Sequence, residues 1–170
     1  MSLLDKEPIK RVEEALKGFD NSLSVVVLDK PAHTAKVAAS LLKCEVGAIV
    51  KSLLLRADNT FVLTLIAGDK RCSLKKLKKI TNKKDVSMAN PEEVKTQTGY
   101  TIGGVSPVGH LKLVEILIDT SLKRFKSLYA AAGHPNCIFE INFFDLKKIT
   151  NGELKEIIEW NNLKLLIIYY

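Results

Sequence analysis

The chain has 170 residues, 46% of them hydrophobic and 26% charged. That is enough apolar sequence for one domain, residues 1–170, with a core of its own, and it excludes a disordered polymer; no apolar run approaches the ~20 residues a membrane helix needs. The formal net charge is +7, yet Lys70 to Lys84 alone carries eight basic residues and no acid, so the remainder is close to neutral.

The start of the chain, Met1 to Arg11, mixes charges and has no apolar signal segment. Three scattered cysteines, Cys44, Cys72 and Cys137, make no disulfide framework and point to a reducing cytoplasm. Ile9 to Leu16 has helical spacing, with Ile9, Val12 and Leu16 on one side. Ser24 to Leu28 is an apolar, β-branched run that predicts a buried strand, broken by Asp29-Lys30-Pro31. Thr34 can cap a helix to about Leu42 with Val37, Ala38 and Leu41 inward. Ile49 to Arg56 and Phe61 to Ala67 predict a hairpin across the turn Ala57 to Thr60.

Ser73 then caps a basic helix whose expected buried stripe is Leu74, Leu77 and Ile80, with the lysines outward. A short segment at Val86 to Met88 follows. Pro91 suits the first turn of a helix reaching about Thr98. Val114 to Ile118, Leu128 to Ala131 and Cys137 to Ile141 read as strands, and Phe144 to Ile149 as a helix. Glu153 onward predicts a helix with an apolar end at Leu163 to Tyr170. Strands joined by turns in places and by helices in others favour an α+β fold with a mixed, mostly antiparallel sheet.

Three stretches carry candidate chemistry. Lys51 opens an otherwise apolar strand. It either snorkels to solvent or places a fixed positive charge on a phosphate or a developing oxyanion. Gly47 to Ser52 lacks the second glycine of a phosphate loop, having Val50 there, which excludes that motif. Gly99 to His110 holds four of the nine glycines and Pro107. It is either a long turn or a loop that brings backbone N–H groups to a ligand. Ala130 to Asn136 sets three alanines and Gly133 beside His134. Small walls next to one polar group describe a small-ligand pocket, and equally tight strand packing. His134 and Cys137, three apart, fall on opposite faces of an extended segment, which favours Cys137 as a core residue over a nucleophile. His33, His110 and His134 are far apart in sequence and no Cys or His pair has metal-ligand spacing, so no metal is expected.

Taken in order, "HTAKVAASL" (His33 to Leu41), "VGAIVKSLLL" (Val46 to Leu55), "MANPEEVKTQTGYTIGGVSPVGH" (Met88 to His110), "ILID" (Ile116 to Asp119) and "AAAGHPN" (Ala130 to Asn136) make the chain resemble a known family. It is similar to the YbaK/prolyl-tRNA synthetase-associated domain family of aminoacyl-tRNA deacylases over about Val25 to Thr150, leaving 151–170 as a C-terminal extension. The resemblance implies a curled, barrel-like mixed sheet surrounded by helices. It implies hydrolysis of the ester of a mischarged tRNA, often tRNA-Pro, either in trans or as an inserted editing domain; the reading taken is trans-editing of tRNA-Pro carrying a small amino acid, with alanine, serine, threonine, 2-aminobutyrate and cysteine all open.

By the same resemblance, Lys51 is the strand lysine that holds the terminal phosphate or orients the ester. Gly103 and Pro107 fit the G-x-x-x-P loop beside the terminal adenosine and the scissile carbonyl; apart from the resemblance, the backbone N–H groups of Gly103 and Gly104 suit the stabilisation of an oxyanion. His134 screens the amino-acid side chain in a sieve with Ala131 and Gly133, and Ser106 and Thr34 are further contacts. The cysteine-specific branch has Ser-Ala-Gly where this chain has Ala131-Ala132-Gly133, so a hydroxyl is missing. Such a hydrolase needs no cofactor and no metal, because the aminoacyl ester is already activated. Its partners are a tRNA, held at the acceptor stem by Lys75, Lys76, Lys78 and Lys79, and a synthetase in transient complex. No membrane and no DNA are involved. The rivals are a non-catalytic tRNA-binding or regulatory module of the same fold and a hydrolase of small esters. The deacylase reading requires Lys51, the glycine hairpin and His134 to meet at one cavity.

Overall fold

A computed structural model describes residues 1–159. In chain order its elements are α1 (Glu7–Phe19), β1 (Val26–Val27), α2 (Ala35–Leu42), β2 (Ile49–Ala57), β3 (Thr60–Ala67), α3 (Leu74–Thr81), β4 (Val86–Met88), α4 (Pro91–Thr98), β5 (Glu115–Asp119), β6 (Leu128–Ala131), β7 (Cys137–Ile141), α5 (Phe143–Thr150) and β8 (Glu153–Lys155). The strands form one mixed sheet in the order β1-β7-β6-β2-β3-β5-β8, with β4 also on β2. Among the described residues four pairings are antiparallel and three parallel, so the antiparallel excess is slight. The end strands β1 and β8 do not pair with one another, and the sheet stays open.

The β2–β3 hairpin is the seed of the sheet, paired from Val50↔Ala67 to Ala57↔Thr60. Its alternation divides the core. Val50, Leu54, Leu63 and Leu65 face the main core, which α1 enters with Ile9, Val12 and Leu16. Each of those three α1 side chains is fully buried and contributes about 1.5–3 kcal/mol relative to exposure. Leu55, Ala57, Val62 and Ile66 face a second core that Leu77 of α3 closes.

Local capping follows the sequence. Thr34 accepts from the Val37 N–H, and Ser73 from Lys76. Asn90 with Glu93 forms a reciprocal capping box ahead of Pro91.

Several expectations are corrected. The strand at Ser24 to Leu28 shrinks to Val26–Val27, and both side chains are exposed because this is the sheet's edge. In α2 the inward residues are Ala38 and Ala39, while Val37 is exposed and Leu41 only partly covered. Leu74, in the first turn of α3, is exposed as well, and Leu77 is that helix's one buried residue. Glu153 to Lys155 is not helical. It adds a parallel strand to β5, and Ile158 bridges to Cys72. Leu163 to Tyr170 lies outside the described residues.

Candidate active site

The register of β2 leaves a gap in the sheet. On one side β6 pairs with Ile49 and Val50, and β4 pairs with Leu55 to Ala57. Lys51 to Leu54 have no strand partner on that side; the Ala89 N–H reaches the Leu54 carbonyl at 3.0 Å. A cavity of about 390 Å³ occupies this gap, within the range of small-molecule sites. Six consecutive residues, Ile49 to Leu54, line it. Successive side chains on a strand point to opposite faces, so a cavity touching all six must run along the strand's edge. That explains how Lys51, which leaves the opposite face from Val50 and Leu54, shares a cavity with a loop packed on the main core.

Lys51 is partly buried, and its Nζ donates to the Lys70 carbonyl at 2.9 Å. Burial pushes its ammonium below the ordinary lysine value; Asp69 opposes that fall and Arg71 adds to it. One bond leaves two of the three ammonium donors for a ligand. Ser52, beside it, has a buried Oγ that makes no hydrogen bond, and it also lines the cavity. Its sequence gave no signal: a serine in an apolar strand reads as filler until its neighbours are known.

The facing wall comes from loops. Gly103, Ala131 and His134 line the cavity, as do Thr34 and His33 at the start of α2. Gly103 has φ +94°, and a Cβ there would stand 3.8 Å from the His33 Nδ1. His33 and His134 thus line one cavity although they are far apart in the chain, which sequence spacing could not reveal. The segment after β6 is a turn rather than a continued strand, closed by Cys137 N–H to the His134 carbonyl at 2.9 Å. His134 and Cys137 therefore line the same cavity, and Cys137 is also a fully buried member of the core. The His134 Nδ1 accepts from the Asn136 N–H at 3.1 Å, which leaves the proton of the neutral ring on Nε2. Burial lowers its pKa, with Lys6 and His33 lowering it further.

Gly104, Ser106, Pro107 and Gly133 are buried behind this wall and do not line the cavity. The Gly104 N–H donates to Thr101 at 2.9 Å and its carbonyl accepts from Gly133 at 3.0 Å, so that N–H is taken within the loop. A Cβ at Gly104 would sit 2.8 Å from the His134 backbone nitrogen. Glycine here lets the two loops touch. Ser106 is fully buried; its Oγ accepts from Val108, and its carbonyl lies 2.6 Å from the His110 Nε2.

The lining holds Lys51, His33 and His134 but no carboxylate, and the rest is mainly apolar. Such a surface suits a ligand with negative or developing negative charge beside an apolar part. Among the described residues no group of three or more His, Cys, Asp or Glu gathers as a metal site. The α3 lysines are elsewhere: Lys75, Lys78 and Lys79 are exposed, Lys76 pairs with Glu156 at 3.5 Å, and none lines the cavity. No helix of the described residues is long and apolar enough to cross a membrane.

The model of the aminoacyl-tRNA editing domain matches residues 29–149. A proline–tRNA ligase of Kosmotoga olearia is 30% identical over 98% of the chain, which spans only 26% of that ligase. A protein of Enterococcus faecalis named as a candidate Cys-tRNA(Pro)/Cys-tRNA(Cys) deacylase is 30% identical over 73% of the chain and 76% of its own length. The crystal structure of a candidate trans-editing enzyme for prolyl-tRNA synthetase superposes with a TM-score of 0.86 at 33% identity, covering 91% of this chain and 99% of that one.

Proposed function

Because the chain belongs to the aminoacyl-tRNA editing domain family, we propose that it is a trans-editing deacylase that hydrolyses the ester of tRNA-Pro mischarged with a small amino acid. One observation carries this reading: Lys51, Gly103 and His134, drawn from three distant parts of the chain, line one cavity without a carboxylate. The ester carbonyl fits between the strand wall and the loop wall, with the side chain toward the alanines.

Water attacks the carbonyl carbon and a tetrahedral oxyanion forms. The bond to the ribose oxygen breaks, that oxygen takes a proton, and the free amino acid leaves. The ester is activated, so the protein's task is to orient it and stabilise charge. Lys51 supplies the fixed positive charge. With the Gly104 N–H engaged by Thr101, Gly103 offers a backbone donor on this wall, its N–H making no hydrogen bond among the described residues. Ser52 offers its unmet hydroxyl to the ester or the terminal ribose. Ala130, Ala131, Ala35 and Ala38 with His134 bound the slot for a small side chain. A synthetase pocket discriminates one methylene by only ~1–3 kcal/mol, so a second sieve for smaller residues has a clear use. The exposed lysines of α3 support the acceptor stem through its phosphates.

The test is a deacylation panel: tRNA-Pro charged in turn with alanine, serine, threonine, 2-aminobutyrate, cysteine and proline, and the same amino acids on their cognate tRNAs. Hydrolysis of at least one small aminoacyl-tRNA-Pro, with prolyl-tRNA spared, is expected. Binding of tRNA without hydrolysis of any ester would replace the reading with the non-catalytic module.

A further inference from the structure

The segment before residue 29 lies outside the matched family region, yet α1 is packed against both loops of the cavity wall. Arg11 is the centre of that contact. Its Nε donates to the Gly109 carbonyl at 2.9 Å and its Nη2 to the Thr98 carbonyl at 3.4 Å. These two carbonyls flank the loop that carries Gly103. The guanidinium also lies 4.9 Å from the centre of the Tyr100 ring and pairs with Glu7 one turn earlier. Tyr100 is fully buried, with its hydroxyl 2.7 Å from the Val108 carbonyl and 2.9 Å from that of Gly109. A Cβ at Gly99 would run into the Arg11 guanidinium and the Leu111 side chain, and one at Gly109 would stand 2.6 Å from the Tyr100 hydroxyl and 3.0 Å from the Arg11 carbonyl. The same helix backs the other loop: a Cβ at Gly133 would stand 3.0 Å from the Pro8 backbone. Three of the four glycines with positive φ thus face α1, and the fourth is Gly103 at the cavity.

We infer that Arg11 is a positioning residue for the reaction: it fastens both ends of the Gly99 to His110 loop to α1 and thereby sets Gly103 opposite Lys51. This rests on the deacylase reading for its catalytic consequence, though not for its structural one. A planar guanidinium holds two carbonyls, a carboxylate and a ring face at once; an ammonium is a point charge that serves fewer of them. Displacing a reacting group by about 1 Å costs on the order of 100-fold in rate.

The experiment compares wild type, Arg11→Ala and Arg11→Lys in single-turnover deacylation and in amide hydrogen exchange without substrate. For Arg11→Ala the expected result is a kcat on the order of 10- to 100-fold lower, with KM within about twofold. Exchange accelerates in residues 99–110 while the β2–β3 hairpin keeps its protection. Arg11→Lys falls between the two, and it carries the test if the alanine variant does not fold. An unchanged kcat, or exchange rising uniformly across the chain, overturns the inference, since a merely structural arginine would loosen the whole fold. The exchange arm needs no tRNA. If the wild type hydrolyses no ester, the deacylase reading fails by itself, and exchange confined to the loop still supports the brace while unaltered exchange there rejects it.

Discussion

Lys51 and Ser52 sit on a strand paired with β3 from Val50 to Ala57, whereas Gly103 and His134 sit on loops held by Arg11, Tyr100 and the backbone of α1. The strand wall is fixed by a ladder of main-chain bonds that any side chain tolerates. The loop wall is fixed by particular side chains and by glycines with positive φ. Substitutions on the strand wall should therefore alter chemistry with little effect on stability, and substitutions behind the loop wall should alter both.

The largest effect is expected at Lys51. Lys51→Ala should lower kcat/KM by at least about 100-fold, with an unfolding free energy unchanged or slightly raised because a desolvated ammonium is removed. Full activity in that variant would take the strand wall out of the mechanism. Gly133→Ala comes next. At φ +88° and against Pro8, an added methyl strains the backbone by about 1–3 kcal/mol. Denaturant titration should register that loss together with a roughly tenfold slower rate; normal stability would mean that α1 does not press on this loop.

Replacing Lys75, Lys76, Lys78 and Lys79 by glutamine leaves both walls intact. KM should rise several-fold and depend less on salt, with kcat preserved; an unaltered salt slope would return α3 to a solvated face. Tyr100→Phe removes one buried hydroxyl from the Val108 and Gly109 carbonyls and should cost about 1 kcal/mol of stability.

The smallest effect is pH dependence. Burial holds His110 and His134 below the ordinary value of 6.5. The unfolded chain then binds protons first as pH falls, so their contribution is intact above pH 6.5 and is lost between 6.5 and the lower folded values. Denaturation near neutral pH and at about pH 5.5 should show that loss shrinking in His110→Gln. An equal loss in both proteins would remove His110 from the cause.

The same contrast decides what the sequence could reveal. The Ile49 to Ala67 hairpin and α4 were legible because their alternation, the Asn90 cap and Pro91 act within a few residues. The lysine strand, the glycine hairpin and the Gly133-His134 pair were legible as a family resemblance. Their meeting at one cavity followed from that resemblance; its place at a gap in the sheet did not, because the gap depends on β6 and β4 leaving β2 unpaired at Lys51 to Leu54. Ser52 and His33 were missed for that reason. Leu74 and Val37 fit their helices' apolar pattern, but both stand exposed in the first turn. Glu153 to Lys155 reads as helical by local composition and pairs instead with Leu117 to Asp119, where the buried Asp119 carboxylate accepts from the Ile157 N–H at 2.7 Å.

The chemistry is tested most directly by one single-turnover reaction in water enriched in ¹⁸O, with tRNA-Pro carrying the small amino acid cleared fastest. The account predicts one heavy oxygen in the carboxylate of the released amino acid and none in the tRNA's terminal ribose. Release no faster than in the protein-free control, or label in the ribose, would contradict it.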